Sequence, residues 1–240
     1  MAIFLRFIRQ IAFSLFAFTF FLGFALEMTL IGFFLITIGG ATDGHKRRYH
    51  QILQKQSAFV VRHIPGTIFS FNNATNETFE KPAMIIANHQ SHIDLMAIIM
   101  LTPHLIILTK NWVWHNPFYG LVIRYADFFP VTDTEEMVPS LSDMIQKGYS
   151  IMIFPEGTRS EDCHIQRFHR GAFYLAERLK LDIVPVFIDG FGKVLPKKSF
   201  YLHEGQLSIE VLPRILRDNI SDDYRMITRK MHTLYQQKKS

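Results

Sequence analysis

The sequence of 240 residues contains a single cysteine, Cys163. No disulfide framework is therefore available, and a reducing compartment is the expected setting. Internal repeats and low-complexity tracts are missing too, which argues against a repeat array. No G-x-S-x-G stretch occurs, so there is no serine elbow of the α/β-hydrolase kind. His104, His115, His164, His169 and His203 are scattered singly, so no second ligand pair stands ready to complete a zinc site. Acidic residues are absent from His45 to His63, a stretch that carries five Lys and Arg.

What is present is a basic chain rich in apolar residues. Its formal charge is +5 and 48% of its residues are hydrophobic, enough for one α/β domain, or one domain plus an anchor. Many of the 23 Phe fall in the first 40 residues, where IAFSLFAFTFFLGFAL (Ile11–Leu26) is followed by Glu27 and then MTLIGFFLITIGGA (Met28–Ala41). The first half alone is short for a hydrocarbon core, whereas both halves together suffice to cross once. Arg6 and Arg9 precede the block, and Lys46, Arg47 and Arg48 follow it. This flanking charge fits a re-entrant helical hairpin with both ends cytoplasmic and Glu27 near the turn, with a single tilted span as the alternative. The block is too long for the apolar part of a signal peptide and lacks a small-x-small exit. Residues 1–57 are expected to form a membrane anchor with a basic juxtamembrane segment. That segment would meet an anionic leaflet at the cytoplasmic face of the inner or plasma membrane rather than a nucleic acid.

Residues 58–240 alternate short apolar runs with helical patterns, the signature of an α/β fold with a mixed sheet flanked by helices. Strands are expected at Thr67–Phe71, Ala83–Ala87, Leu105–Leu108, Phe128–Val131, Ser150–Phe154, Ile183–Ile188 and Leu207–Leu212. Helices are expected at His92–Leu101, Asn111–Trp114, Thr134–Lys147, Arg170–Lys180 and Ser221–Tyr235.

Two polar knots follow strands directly: MIIA runs into NHQSHID, and IMIF runs into PEGTRSED. Ligands in open α/β sheets gather beyond the carboxyl ends of strands, so both knots are placed to share one cleft. In the first knot, three readings of His89, His92 and Asp94 stay open. Ser91 and Asp94 match [ST]-x-x-[DE], a capping box for the next helix. The two histidines and Asp94 offer three metal ligands, which would suit a metal-dependent lipid hydrolase. Alternatively His89 and Asp94 pair as base and orienter, with His89 on the loop and Asp94 in the first helical turn. In the second knot, Glu156 is able to accept from a substrate hydroxyl and Arg159 to grip an anion, or the two form an ordinary surface pair in a turn.

Taken together, NHQSHID and FPEGTRS (Phe154–Ser160) resemble the first and third motifs, N-H-x4-D and F-P-E-G-T-R-S, of the glycerolipid acyltransferase family, of the 1-acyl-glycerol-3-phosphate acyltransferase type. TKNWVWHNPFYG, with Lys110, Pro117 and Gly120, is similar to the second motif, and IVPVFIDG, with Pro185, to the fourth. The resemblance covers roughly residues 58–215 and is highly specific. It implies acyl transfer from acyl-CoA or acyl carrier protein to a lysolipid hydroxyl, without covalent intermediate, metal or cofactor. His89 would be the general base and Asp94 its orienter. Lys110, Glu156, Gly157, Thr158, Arg159 and Arg170 would bind substrate. One departure bears on the acceptor. The stretch ADFFPVTDTEE carries Asp133, Glu135 and Glu136 where members with a phosphate-bearing acceptor usually have an arginine. Acids near a phosphate repel it, so an acceptor without phosphate, such as an acylated amino-acid lipid, is the second expectation.

Overall fold

The computed structural model describes residues 2–38, 40, 42–117, 120–219 and 223–239. The strands are β1 (Thr67–Asn72), β2 (Ala83–Ala87), β3 (Leu105–Thr109), β4 (Phe129–Pro130), β5 (Ser150–Ile153), β6 (Asp182–Asp189) and β7 (Gly205–Val211). They form one sheet in the order β1-β7-β6-β2-β5-β3-β4. All neighbours are parallel except β6 and β7. Every expected strand is present, although β4 shrinks to two residues. Strands β2 and β5 lie side by side with Met84 opposite Ile151. Their carboxyl ends therefore deliver both polar knots to the same edge. Both strands are apolar on both faces, as parallel strands covered by helices must be.

One face of the sheet is covered by α2 (Asp43–Arg62), α3 (Asp94–Ile99), α5 (Gly120–Tyr125) and α8 (Phe191–Val194). The other is covered by α6 (Thr134–Gln146), α7 (Gly171–Arg178) and α9 (Tyr224–Lys239). The short α4 (Asn111–Trp114) follows β3. Helices α5 and α8 have no counterpart in the sequence reading, because each is too short to show a period. The expected start of α9 at Ser221 lies outside the described residues.

The apolar N-terminal block is one helix, α1 (Ala2–Gly32), prolonged by a π-helical turn at Phe33–Ile38. The hairpin turn expected near Glu27 is not formed. No proline or glycine pair interrupts the helix there, and Glu27 instead accepts from Gln56 Nε2 of α2 at 2.8 Å. Helix α1 docks along the α2 face of the domain through Ser14, Ala17, Phe24 and Met28, residues spaced by helical turns. Ser14 Oγ accepts from the Leu202 N–H at 2.8 Å. At the far end Gly32 lets Tyr125 approach: a Cβ there would stand 2.3 Å from the ring. The opposite stripe, including Phe7, Ile11, Leu15, Phe18, Leu22 and Leu26, is exposed. By length and composition the segment Phe7–Leu35, with mean hydropathy 1.9, is able to cross a membrane. The boundary expected after residue 57 falls inside α2, whose buried Leu53, Ser57 and Val61 belong to the same core layer.

Beneath the site, Tyr235 of α9 is wedged between β2 and β6. Its hydroxyl donates to Ile86 O at 2.6 Å and accepts from Val186 N at 3.0 Å. Burial pushes the phenol well above its usual range. Removing this hydroxyl strands a buried carbonyl and a buried N–H. Tyr235→Phe is therefore expected to cost about 1–3 kcal/mol, read in urea unfolding as a lower midpoint with unchanged slope. An unchanged midpoint would show that the bridge carries no stability.

Candidate active site

His89 follows β2, and Asp94 opens α3. Asp94 Oδ2 lies 2.9 Å from His89 Nδ1, with the His89 side chain 20% exposed and that of Asp94 fully buried. The same oxygen accepts from the N–H of Gln90 and, at 2.7 Å, from that of Ser91. An ionised carboxylate only accepts, so a neutral His89 bonded to it carries its proton on Nδ1 and its lone pair on Nε2. The ring is held flat against Phe154, with centroids 4.0 Å apart and 12° between planes. Its orientation is thus fixed by one hydrogen bond at the edge and one stacking partner on the face.

Only half of the expected capping box is made. Asp94 does accept from the Ser91 N–H, but the Ser91 hydroxyl donates to Leu195 O at 2.8 Å. Residue Ile93, without a side-chain cap, precedes the helix. Asn88, read as a turn residue, has a different task. Its amide donates to Ile188 O at 2.8 Å and accepts from Ile188 N at 2.9 Å, locking the end of β2 to β6.

The second knot reaches the first through Glu156. This carboxylate is 3% exposed. It accepts from the His89 N–H at 2.8 Å with one oxygen and from the Gln166 N–H at 3.0 Å with the other. Glu156 thus ties the loops after β2 and β5 together. Ser160 N–H adds a third tie, donating to His89 O at 2.8 Å. Burial raises the Glu156 carboxyl to about 7, against the two N–H donors, which lower it; the nearby Asp94 charge raises it further. Gly157 makes the turn possible with φ +65°, where a Cβ would also crowd His169.

Arg159 is half-buried and donates to Lys197 O at 3.5 Å. His92 stays exposed at the mouth. Partial desolvation of its ring and the charges of Arg159 and His89 lower it to about 4. Thr158 is exposed beside Arg159, and Lys110 is exposed at the carboxyl end of β3, beyond β5 from His89. Arg170 lines a different cavity, on the α9 side of the loop. Among the described residues, no group of three or more His, Cys, Asp and Glu side chains is arranged to hold a metal. Tyr235 and Phe154, both central to the geometry, carry no polar-motif signal in the sequence beyond the F of FPEGTRS.

The raised Glu156 carboxyl has a consequence for stability. The folded state holds this proton more tightly than the unfolded chain. Its contribution is therefore fully present below about pH 4.5 and is lost as pH rises through about 7. Glu156→Gln cannot titrate. Between pH 5 and 8, wild-type unfolding midpoints are expected to fall relative to those of Glu156→Gln, and parallel curves would contradict the assignment.

The Acyltransferase family model matches residues 45–189. Among curated relatives, the chain is 28% identical over 168 residues to the chloroplastic 1-acyl-sn-glycerol-3-phosphate acyltransferase LPAT1 of Arabidopsis thaliana, covering 65% of this chain and 46% of that one. It is 28% identical over 143 residues to human 1-acyl-sn-glycerol-3-phosphate acyltransferase beta, covering 56% and 51% respectively. The chain spans about half the length of these curated relatives. Its fold is similar to the crystal structure of the 1-acyl-sn-glycerophosphate acyltransferase PlsC from Thermotoga maritima, with TM-score 0.81, 18% identity and coverage of 97% of this chain and 95% of that one. A family model that spans well over half of the chain, centred on the His89–Asp94 and Glu156 knots, shows that this protein belongs to the Acyltransferase family.

Proposed function

We propose that the chain transfers a fatty acyl group from a thioester donor, acyl-CoA or acyl carrier protein, to the free hydroxyl of 1-acyl-sn-glycerol-3-phosphate, yielding phosphatidate. The observation that carries this reading is the Asp94–His89 bond, with His89 Nε2 left without a protein partner among the described residues. The acceptor hydroxyl gives its proton to Nε2 as its oxygen attacks the thioester carbonyl. The tetrahedral intermediate then collapses, the C–S bond breaks, and the proton passes from the imidazolium to the departing thiolate. Asp94 favours the imidazolium. The N–H groups of Gln90 and Ser91 hold its Oδ2 in place beneath the ring. The names of the relatives support the acceptor.

Two further features bear on the acceptor. Arg159 and Lys110 supply cations for a phosphate at the rim. Two of the three acids that favoured an acceptor without phosphate are engaged elsewhere: Asp133 caps α6 by accepting from Glu135 N, and Glu135 pairs with Arg178 at 2.9 Å and accepts from Tyr174. These pairings and the relatives' names support the phosphate-bearing lysolipid as acceptor. Helix α1 passes the active-site end of the sheet, where Ser14 meets Leu202 and Phe18 meets the exposed Phe200. In our reading its exposed apolar stripe lies along one cytoplasmic leaflet, so that an embedded acceptor reaches His89 without leaving the membrane.

The purified protein is expected to acylate lysophosphatidate from acyl-CoA or acyl carrier protein, faster than it acylates a hydroxylated acyl-amino-acid lipid. His89→Ala should lower the rate by about 10²–10⁴, and Asp94→Asn should lower it through the lost tautomer. Equal rates for His89→Ala and wild type would end the proposal, and a preference for the amino-acid lipid would end the acceptor assignment.

A further inference from the structure

Between α8 and β7 the chain makes a loop that is closed at its base, where the His203 N–H donates to Val194 O at 2.8 Å. Its tip is a tight turn. The Ser199 N–H donates to Pro196 O at 3.0 Å, and the Ser199 hydroxyl accepts from the Tyr201 N–H at 2.9 Å and donates to Tyr201 O at 3.2 Å. The turn presents two aromatic rings outward. Phe200 is 79% exposed, more than any other large hydrophobic side chain among the described residues, and Tyr201 is 47% exposed, whereas Leu202 beside them is buried. A lone exposed ring is ordinary, but these continue a larger apolar surface. Phe200 lies against Phe18 of α1, with ring centres 6.4 Å apart, and so extends the exposed stripe that runs through Ile11, Leu15 and Leu22.

The two arms of the loop have different partners. The returning arm is fastened to the apolar helix: the Leu202 N–H donates to Ser14 Oγ at 2.8 Å, Gln10 Nε2 lies 3.0 Å from His203 Nδ1, and Glu204 pairs with Arg9. The outgoing arm is fastened to the catalytic loops: the Ser91 hydroxyl donates to Leu195 O at 2.8 Å, and Arg159 Nη1 to Lys197 O at 3.5 Å. Glu161 pairs with both Lys197 and Lys198, which leaves the rings as the main contact the tip offers. From Lys197 to Phe200 the chain spans at most about 11 Å. Apolar side chains at a membrane interface sink about 5–10 Å into the boundary of headgroups and acyl chains. A tip inserted to that depth holds the Arg159 guanidinium at the level of the headgroups.

We propose that Phe200 and Tyr201 form a wedge that enters the same leaflet as α1, a second membrane contact beside the active site, and that this wedge sets the depth at which Arg159 meets the lipid headgroups. The proposal rests on the reading above in which the stripe of α1 lies along a leaflet. Phenylalanine supplies apolar area, and tyrosine suits the boundary, where its ring is buried and its hydroxyl stays wet. Because rings make the contact, the partner is a lipid surface whether or not it is anionic. A second copy of the chain is the poorer occupant, since two rings on one turn are far smaller than a stable interface.

The purified protein would be placed in phosphatidylcholine–phosphatidylglycerol vesicles with a fluorescent thiol label at one position at a time: Phe200→Cys, Leu15→Cys on the exposed stripe of α1, and Met226→Cys on α9, across the sheet. Cys163 is buried, and wild type treated alike gives the background. Lipids brominated just below the headgroups should quench the labels at 200 and 15 and spare the label at 226. Quenching at 15 without quenching at 200 would overturn the wedge and leave the α1 reading standing; quenching at neither would overturn both. Equal quenching at all three positions, or cross-linking of Phe200→Cys to a second copy in place of quenching, would also overturn it. In the unlabelled protein, Phe200→Ser should raise KM for lysophosphatidate in vesicles about tenfold, with or without phosphatidylglycerol, and leave KM for a water-soluble short-chain lysophosphatidate unmoved. Phe200→Trp should keep the wild-type value. An unmoved vesicle KM, or an equal rise for the soluble acceptor, would contradict the proposal. A wild type that acylates neither acceptor would defeat the acyltransferase reading, while the quenching still decides the wedge.

Discussion

The site depends on a buried carboxylate bridging two loops. Glu156 accepts from the backbone of His89 and of Gln166, and so converts two adjacent strand ends into one rigid rim. Burying a carboxylate is expensive unless its oxygens are satisfied. Here the satisfying donors are the loop N–H groups whose geometry the chemistry needs. Asp94 repeats the device on a smaller scale, collecting the Gln90 and Ser91 N–H groups on the oxygen that also orients His89. Both shape the chain that holds the imidazole.

Around this rim the molecule divides its surroundings by face. The apolar helix α1 and the basic α2 occupy one side of the sheet, and α6, α7 and α9 occupy the other. The strand ends, with His89, lie between them.

Much of this was legible in sequence, for identifiable reasons. The strands were readable because each is a short apolar run closed by turn residues, and the shared edge followed from two polar knots placed straight after such runs. His89 and Asp94 stood out because their residue types are costly in an apolar context. The role of Glu156 was not legible, since a carboxylate bonding backbone N–H groups leaves no mark on spacing. The same holds for Asn88, whose partner Ile188 is remote in the chain, and for Tyr235, which arrives from the last helix. Glu27 misled because a charge inside an apolar block looks like a break, whereas Gln56 of α2 receives it along an unbroken helix. Arg170, which the resemblance counts among the substrate-binding residues, lines the cavity on the α9 side of the loop.

The central claim is that Asp94 fixes His89 in the Nδ1–H form and leaves Nε2 as the base. Nitrogen NMR of ¹⁵N-histidine-labelled protein reads this directly, at a pH where the ring is neutral. The account predicts a single His89 pattern with protonated Nδ1 and bare Nε2, which gives way to a tautomer mixture in Asp94→Ala and is unchanged in His92→Ala. A wild-type His89 protonated at Nε2, or a pattern that survives Asp94→Ala, would contradict it.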